Sequence, residues 1–172
     1  MLIAWAKHAG LDFAREALHR CGNLGWPNDY CSWLMACIAF ESGETFSADV
    51  PNQAGSGAVG LIQFMPTTAQ GLRTTTGVLA GMSAIDQLDY VEKYFRPYAS
   101  RVRSLADMYM AILLPKYVGQ PDDSVLFAGG RAYRQNAGLD ANSDGEITKA
   151  EAVERVREKL AKGWLPENMG DI

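Results

Sequence analysis

Twelve consecutive residues, Tyr30 to Glu41 (YCSWLMACIAFE), constrain this chain more than any other stretch. Trp33, Leu34, Met35, Ile38 and Phe40 spread apolar side chains almost all round a helix, so the helix must be covered on most sides. It ends at Glu41-Ser42-Gly43, where Gly43 suits a left-handed stop. Trp26-Pro27-Asn28-Asp29 upstream reads as a turn, with Asn28 or Asp29 placed to cap the helix.

Helical periodicity dominates elsewhere. Leu2, Ala6, Ala9, Phe13, Ala17 and Cys21 share one face over residues 2–21, closing at Gly22-Asn23. Pro66 opens a helix over about 66–73. Ser83-Ala-Ile-Asp86 and Ser104-Leu-Ala-Asp107 read as capping boxes, opening helices that run to Pro97 and Leu114. A loop with Gly119, Pro121 and Gly129-Gly130 follows, and a charged helix spans about 150–162. Residues 44–64 hold four glycines or prolines and are the one place for a hairpin. The expected class is mainly α, with α+β character: a helical bundle carrying a small β-hairpin insert. A length of 172 residues suits one compact domain, with a body over 1–135 and an appendage over 136–172 packed on it.

The net charge of −4 is spread along the chain. Without a basic stripe to neutralise phosphates, a nucleic-acid partner is excluded. No stretch approaches the roughly 20 apolar residues of a membrane span, so no membrane insertion is expected. Lys7, His8 and Asp12 interrupt the N-terminal apolar residues, which therefore do not read as a signal peptide. Synthesis in the cytoplasm is the expectation, and a monomer. Cys21, Cys31 and Cys37 lack zinc-type spacing; reduced core residues and a Cys21–Cys31 disulfide both remain open.

Glu41 is the candidate for chemistry. Apolar surroundings disfavour its charged form, and the negative end of the helix dipole adds to that. Both effects raise its pKa, as a general acid working near neutral pH requires.

Glu41-Ser42, then Phe46, then Gly55-Ser-Gly57-Ala-Val-Gly60-Leu-Ile-Gln63-Phe-Met-Pro66-Thr-Thr-Ala69 resembles the signature of the soluble lytic transglycosylases, in the lysozyme-like superfamily. The likeness is close over 38–69 and looks most like versions carried by bacteriophages. It implies an enzyme that cleaves the β-1,4 bond between N-acetylmuramic acid and N-acetylglucosamine in peptidoglycan, with the hairpin lining a glycan cleft. Glu41 would protonate the glycosidic oxygen. Ser42 would orient Glu41 or the muramic substituents, and Gln63 would donate to sugar from the cleft floor. Gly55, Gly57 and Gly60 would let the backbone lie close to the glycan. A tyrosine that touches the glutamate in the family has two candidates here, Tyr109 and Tyr133. The phage likeness implies release to the periplasmic wall by a holin, or delivery as a virion component.

Hydrolysing glycosidases use two carboxylates, and Glu44 and Asp49 are the nearby candidates for a second. Lytic transglycosylases use one glutamate as acid and then as base on the muramic C6 hydroxyl, closing a 1,6-anhydro ring. The non-hydrolytic route is the expectation; a hydrolytic muramidase and a non-catalytic glycan-binding domain are the alternatives.

Asp140 to Glu151 (DANSDGEITKAE) fits a twelve-residue EF-hand loop. Asp140, Asn142 and Asp144 supply side-chain oxygens, Glu146 a backbone carbonyl, and Glu151 the terminal carboxylate. A structural Ca²⁺ is expected, with none needed for catalysis. The incoming helix is not evident, since Gly129, Gly130 and Gly138 interrupt it.

Overall fold

A computed structural model describes all 172 residues. In chain order the elements are β1 (Leu2–Ile3), α1 (Ala6–Ala9), α2 (Leu11–Asn23), α3 (Tyr30–Glu41), α4 (Pro66–Gly71), α5 (Thr76–Ala80), α6 (Ala84–Phe95), α7 (Leu105–Leu113), β2 (Val125–Ala128), α8 (Gly130–Asn136), β3 (Glu146–Thr148), α9 (Lys149–Gly163) and β4 (Gly170–Asp171). The chain is mainly helical, with two small two-stranded sheets. No helix is long and apolar enough to cross a membrane.

The centre is α3. Cys31, Leu34, Met35, Ala36, Cys37, Ile38 and Ala39 are all sealed from solvent. Burying a Leu, Met or Ile side chain contributes roughly 1.5–3 kcal/mol each, so a helix this apolar is held by its neighbours on most sides. Those neighbours are α9, α2 and α7, with α9 in the most extensive contact; α6 in turn packs on α2. Ala152, Val153 and Val156 of α9 therefore belong to the same core as Ile3, Trp5 and Ile38.

Ser83 and Ser104 cap α6 and α7 as their sequences predict, accepting from the N–H groups of Asp86 and Asp107 at 3.0 and 3.1 Å. The expected helix over 2–21 is broken: Gly10, at φ +97°, separates α1 from α2, and Leu2–Ile3 pairs antiparallel with Gly170–Asp171. The N-terminal ammonium reaches Asp171 Oδ1 at 2.5 Å.

The hairpin expected over 44–64 is absent. Only isolated bridges form there, Pro51 with Val59 and Val59 with Phe64. The reason is local: Glu44, Phe46, Gly55, Gly57, Gly60 and Gln63 all adopt positive φ, which breaks any continuous ladder. Strand pairing instead joins β2 to β3, with Phe127 opposite Ile147. The three cysteines are free and buried, and the neighbouring Cys31 thiol together with burial pushes the Cys21 thiol up.

Candidate active site

Glu41 is the last residue of α3, where the helix emerges from the core. It is half-buried and forms no ion pair or side-chain hydrogen bond. Burial raises its carboxyl from the ordinary 4.5 to about 7. Cys37, one turn back on α3, is raised by burial and further by Glu41. Tyr109 of α7 is likewise raised by burial and then by Glu41, and its ring meets Phe40 edge-on at 5.6 Å.

Two hollows meet at this carboxylate, and both are lined by Phe40 and Glu41. One, of about 460 Å³, is completed by Tyr109, Leu113, Gln135, Asn136, Gly138, Leu139 and Arg155. The other, of about 490 Å³, is walled by Thr45, the Val50–Ala54 segment and Gln63. Glu41 thus stands at the junction of a wall from the C-terminal half and a wall from the loop after α3.

That loop is fastened from beneath. Gln87 of α6 is sealed from solvent; its Oε1 accepts from the Leu61 N–H at 2.8 Å. Its Nε2 donates to the carbonyl oxygens of Ala48 at 3.0 Å and Leu79 at 2.8 Å. Gly60, at φ +85°, lies so close that an added Cβ would stand 2.4 Å from Gln87 Oε1. Close approach does demand glycine at position 60, but the partner is a buried glutamine of the protein. The sequence signal for Gln87 is faint: it shares the helical stripe of Val91 and Phe95, a polar residue on an otherwise apolar face.

The other expected residues take positions of their own. Gln63 lines the hollow, but its Nε2 donates to the Val50 and Gly60 carbonyls, each at 3.1 Å, so the expected donation to a sugar is taken up within the loop and only its Oε1 is without a partner. Ser42 adjoins the same hollow beside Glu41, but it is buried and its hydroxyl accepts from the Phe46 N–H at 3.1 Å, fixing the turn after Glu41. Of the two tyrosines, Tyr109 lines a hollow with Glu41, whereas Tyr133 donates to Asp140 Oδ2 at 2.7 Å.

Neither candidate for a second carboxylate reaches the hollows. Glu44 bonds Lys162 Nζ at 2.6 Å and also Lys159, which together hold its carboxyl below the ordinary range against the opposing effect of burial. Asp49 accepts from Ser47 Oγ and lines a separate depression with Met82 and Ala84. Glu41 is the only acidic side chain in either hollow.

In the acidic loop, Asp140 accepts from the N–H groups of Ser143 at 2.7 Å and Gly145 at 3.1 Å. Asn142 and Asp144 bond each other at 3.0 Å, and Asp144 accepts from the Glu146 N–H at 2.9 Å. Glu151 Oε2 caps α9 through the Thr148 N–H at 2.9 Å, while its Oε1 is buried with no partner. An all-oxygen donor set with one orphaned carboxylate oxygen suits a hard cation. The acids do not, however, converge as a preformed group of three. An incoming helix does exist: α8, extended by a 3₁₀ turn over Ala137–Leu139.

Compared with known proteins, the chain matches no family model, no curated protein and no solved structure.

Proposed function

We propose that this chain is a peptidoglycan lytic transglycosylase whose lysozyme-like cleft is the pair of hollows meeting at Glu41. One observation carries the reading: a half-buried glutamate raised to about 7 is the only carboxylate lining either hollow. Near neutral pH such a group exists in both protonation states, which suits it to act first as acid and then as base.

The protonated Glu41 donates to the oxygen linking N-acetylmuramic acid to N-acetylglucosamine, and the bond from that oxygen to muramic C1 breaks. The resulting carboxylate takes the proton of the muramic C6 hydroxyl as its oxygen bonds C1. A 1,6-anhydro ring closes, no water is consumed, and Glu41 returns to its protonated form. A two-carboxylate hydrolysis has no second acid to draw on in these walls.

The acidic loop is proposed to hold a structural Ca²⁺ through Asp140, Asn142, Asp144, the Glu146 carbonyl and Glu151. Bound there, the ion would fasten α8 to α9 and add nothing to the chemistry at Glu41. Delivery of a monomer to the wall by a phage lysis or virion route completes the proposal.

The test is digestion of purified peptidoglycan beside a Glu41→Gln control, with released muropeptides weighed. Products lighter by one water and absent from the control are the expected result. Reducing-end products would mean hydrolysis, and no products from either protein would leave a glycan-binding domain.

A further inference from the structure

Of the basic side chains on α9, all but one are held. Lys149 is bonded by Asp107, Arg157 by Asp122 and Glu154, and Lys159 and Lys162 by Glu44. Arg155 forms no ion pair and no side-chain hydrogen bond. It is exposed, and it lines the hollow that contains Glu41 and Tyr109.

Every other side chain lining the two hollows is uncharged, Glu41 apart. The cleft is therefore asymmetric. Its loop side is lined by the neutral side chains of Asn52, Gln53 and Gln63 and carries no charge to attract an anionic group. Its α9 side presents one guanidinium with all its donors free. A planar guanidinium is matched by a carboxylate, which it binds through two parallel N–H···O bonds.

Resting on the glycan-cleaving reading above, we propose that Arg155 is a specificity residue for a carboxylate of the substrate. Muramic acid offers carboxylates of two kinds: those of the peptide stem, and the lactyl carboxylate exposed when the stem is removed. Polymers of N-acetylglucosamine alone offer none. Arg155 therefore selects strands bearing anionic muramic substituents, and orients them with those substituents towards α9.

The test measures binding without turnover, in the Glu41→Gln protein, to three soluble glycan probes. These are stem-bearing strands, strands stripped of stems by an amidase, and stem-bearing strands whose carboxylates have been converted to methylamides. Arg155→Ala is expected to weaken binding of the stem-bearing strand about ten-fold, and to leave binding of the methylamide strand unchanged. Arg155→Lys should recover part of the loss. An effect on stem-bearing strands that vanishes on stripped strands assigns the contact to a stem carboxylate alone, and an effect on both shows that the lactyl carboxylate freed by the amidase can take its place. Arg103→Ala, which removes the same charge outside both hollows, should change nothing. Equal effects of Arg155→Ala on charged and methylamide strands, or no effect on either, would overturn the inference while leaving the cleavage reading intact. Failure of the Glu41→Gln protein to bind any strand would overturn both.

Discussion

Glu44 lies three residues beyond Glu41, yet its carboxylate is turned to α9, where Lys162 Nζ bonds it at 2.6 Å and Lys159 bonds it as well. His8 Nε2 donates to the carbonyl of the same residue at 2.8 Å. The turn after the candidate acid is thereby tied to both ends of the chain. Glu44→Gln should retain most turnover and lose about 1 kcal/mol of stability, a loss that added salt diminishes. Loss of turnover in a variant that still folds would restore Glu44 as a second carboxylate.

The raised pKa of Glu41 predicts a conflict between stability and chemistry. A carboxyl whose pKa is higher folded than unfolded contributes stability that is complete below the unfolded value and lost as pH rises through the folded one. For Glu41 that window runs from 4.5 to about 7, and the shift corresponds to about 3 kcal/mol. Glu41→Gln should therefore melt higher than the parent at pH 8 and no higher at pH 4, while activity is abolished. The parent's rate should fall as pH rises through about 7, because the acid form is consumed.

Gly60 and Gln87 are predicted to fail together. Gly60→Ala forces a Cβ within 2.4 Å of Gln87 at a backbone angle of +85°, and should destabilise the protein by about 2–4 kcal/mol. Gln87→Ala strands the Leu61 N–H and the Ala48 and Leu79 carbonyls, at a similar cost. Both variants should be cut by protease within residues 48–64 before global unfolding. Protection equal to the parent's would show that the loop is held by other means.

A second buried knot lies between α7 and α9. Lys149 Nζ meets Asp107 Oδ1 at 2.8 Å and the Gln120 carbonyl at 2.8 Å, with both charged side chains nearly sealed from solvent. Burial alone would raise Asp107, but Lys149 and the N–H groups of Gly119 and Arg103 together hold it below the ordinary range. That stabilisation is present above the unfolded carboxylate pKa and is lost as pH falls through the lower folded one. Lys149→Ala should cost about 3–5 kcal/mol by leaving a buried charge, and Lys149→Met with Asp107→Leu much less. Chemical denaturation of the single and double variants measures the difference.

Calcium binding at the acidic loop should appear as heat in a titration and as a higher melting temperature. At a hundred-fold excess over Kd the gain is about 2.7 kcal/mol. Asp144→Asn should reduce both signals. Absence of heat at millimolar calcium would remove the site and leave Glu151 as a helix cap alone.

Several features of this protein are local and were legible in the residues. The central helix follows from twelve nearly uninterrupted apolar positions, and the starts of α6 and α7 from Ser83 and Ser104 three residues before an aspartate. Glu41 at the end of a buried helix could be named because burial and helix polarity act along the chain itself. Other features depend on residues brought together from far apart. Gln87 meets Gly60 across 27 positions, Lys159 meets Glu44 across 115, and Arg155 lines a hollow begun more than a hundred residues earlier. No local pattern encodes such pairings, since hydrogen bonds and ion pairs between distant segments exist only once the core has fixed their spacing. The sequence by itself determined the candidate acid and the helix that presents it; the tertiary structure decided that no second carboxylate lines the hollows beside it, and which of their walls carries a cation.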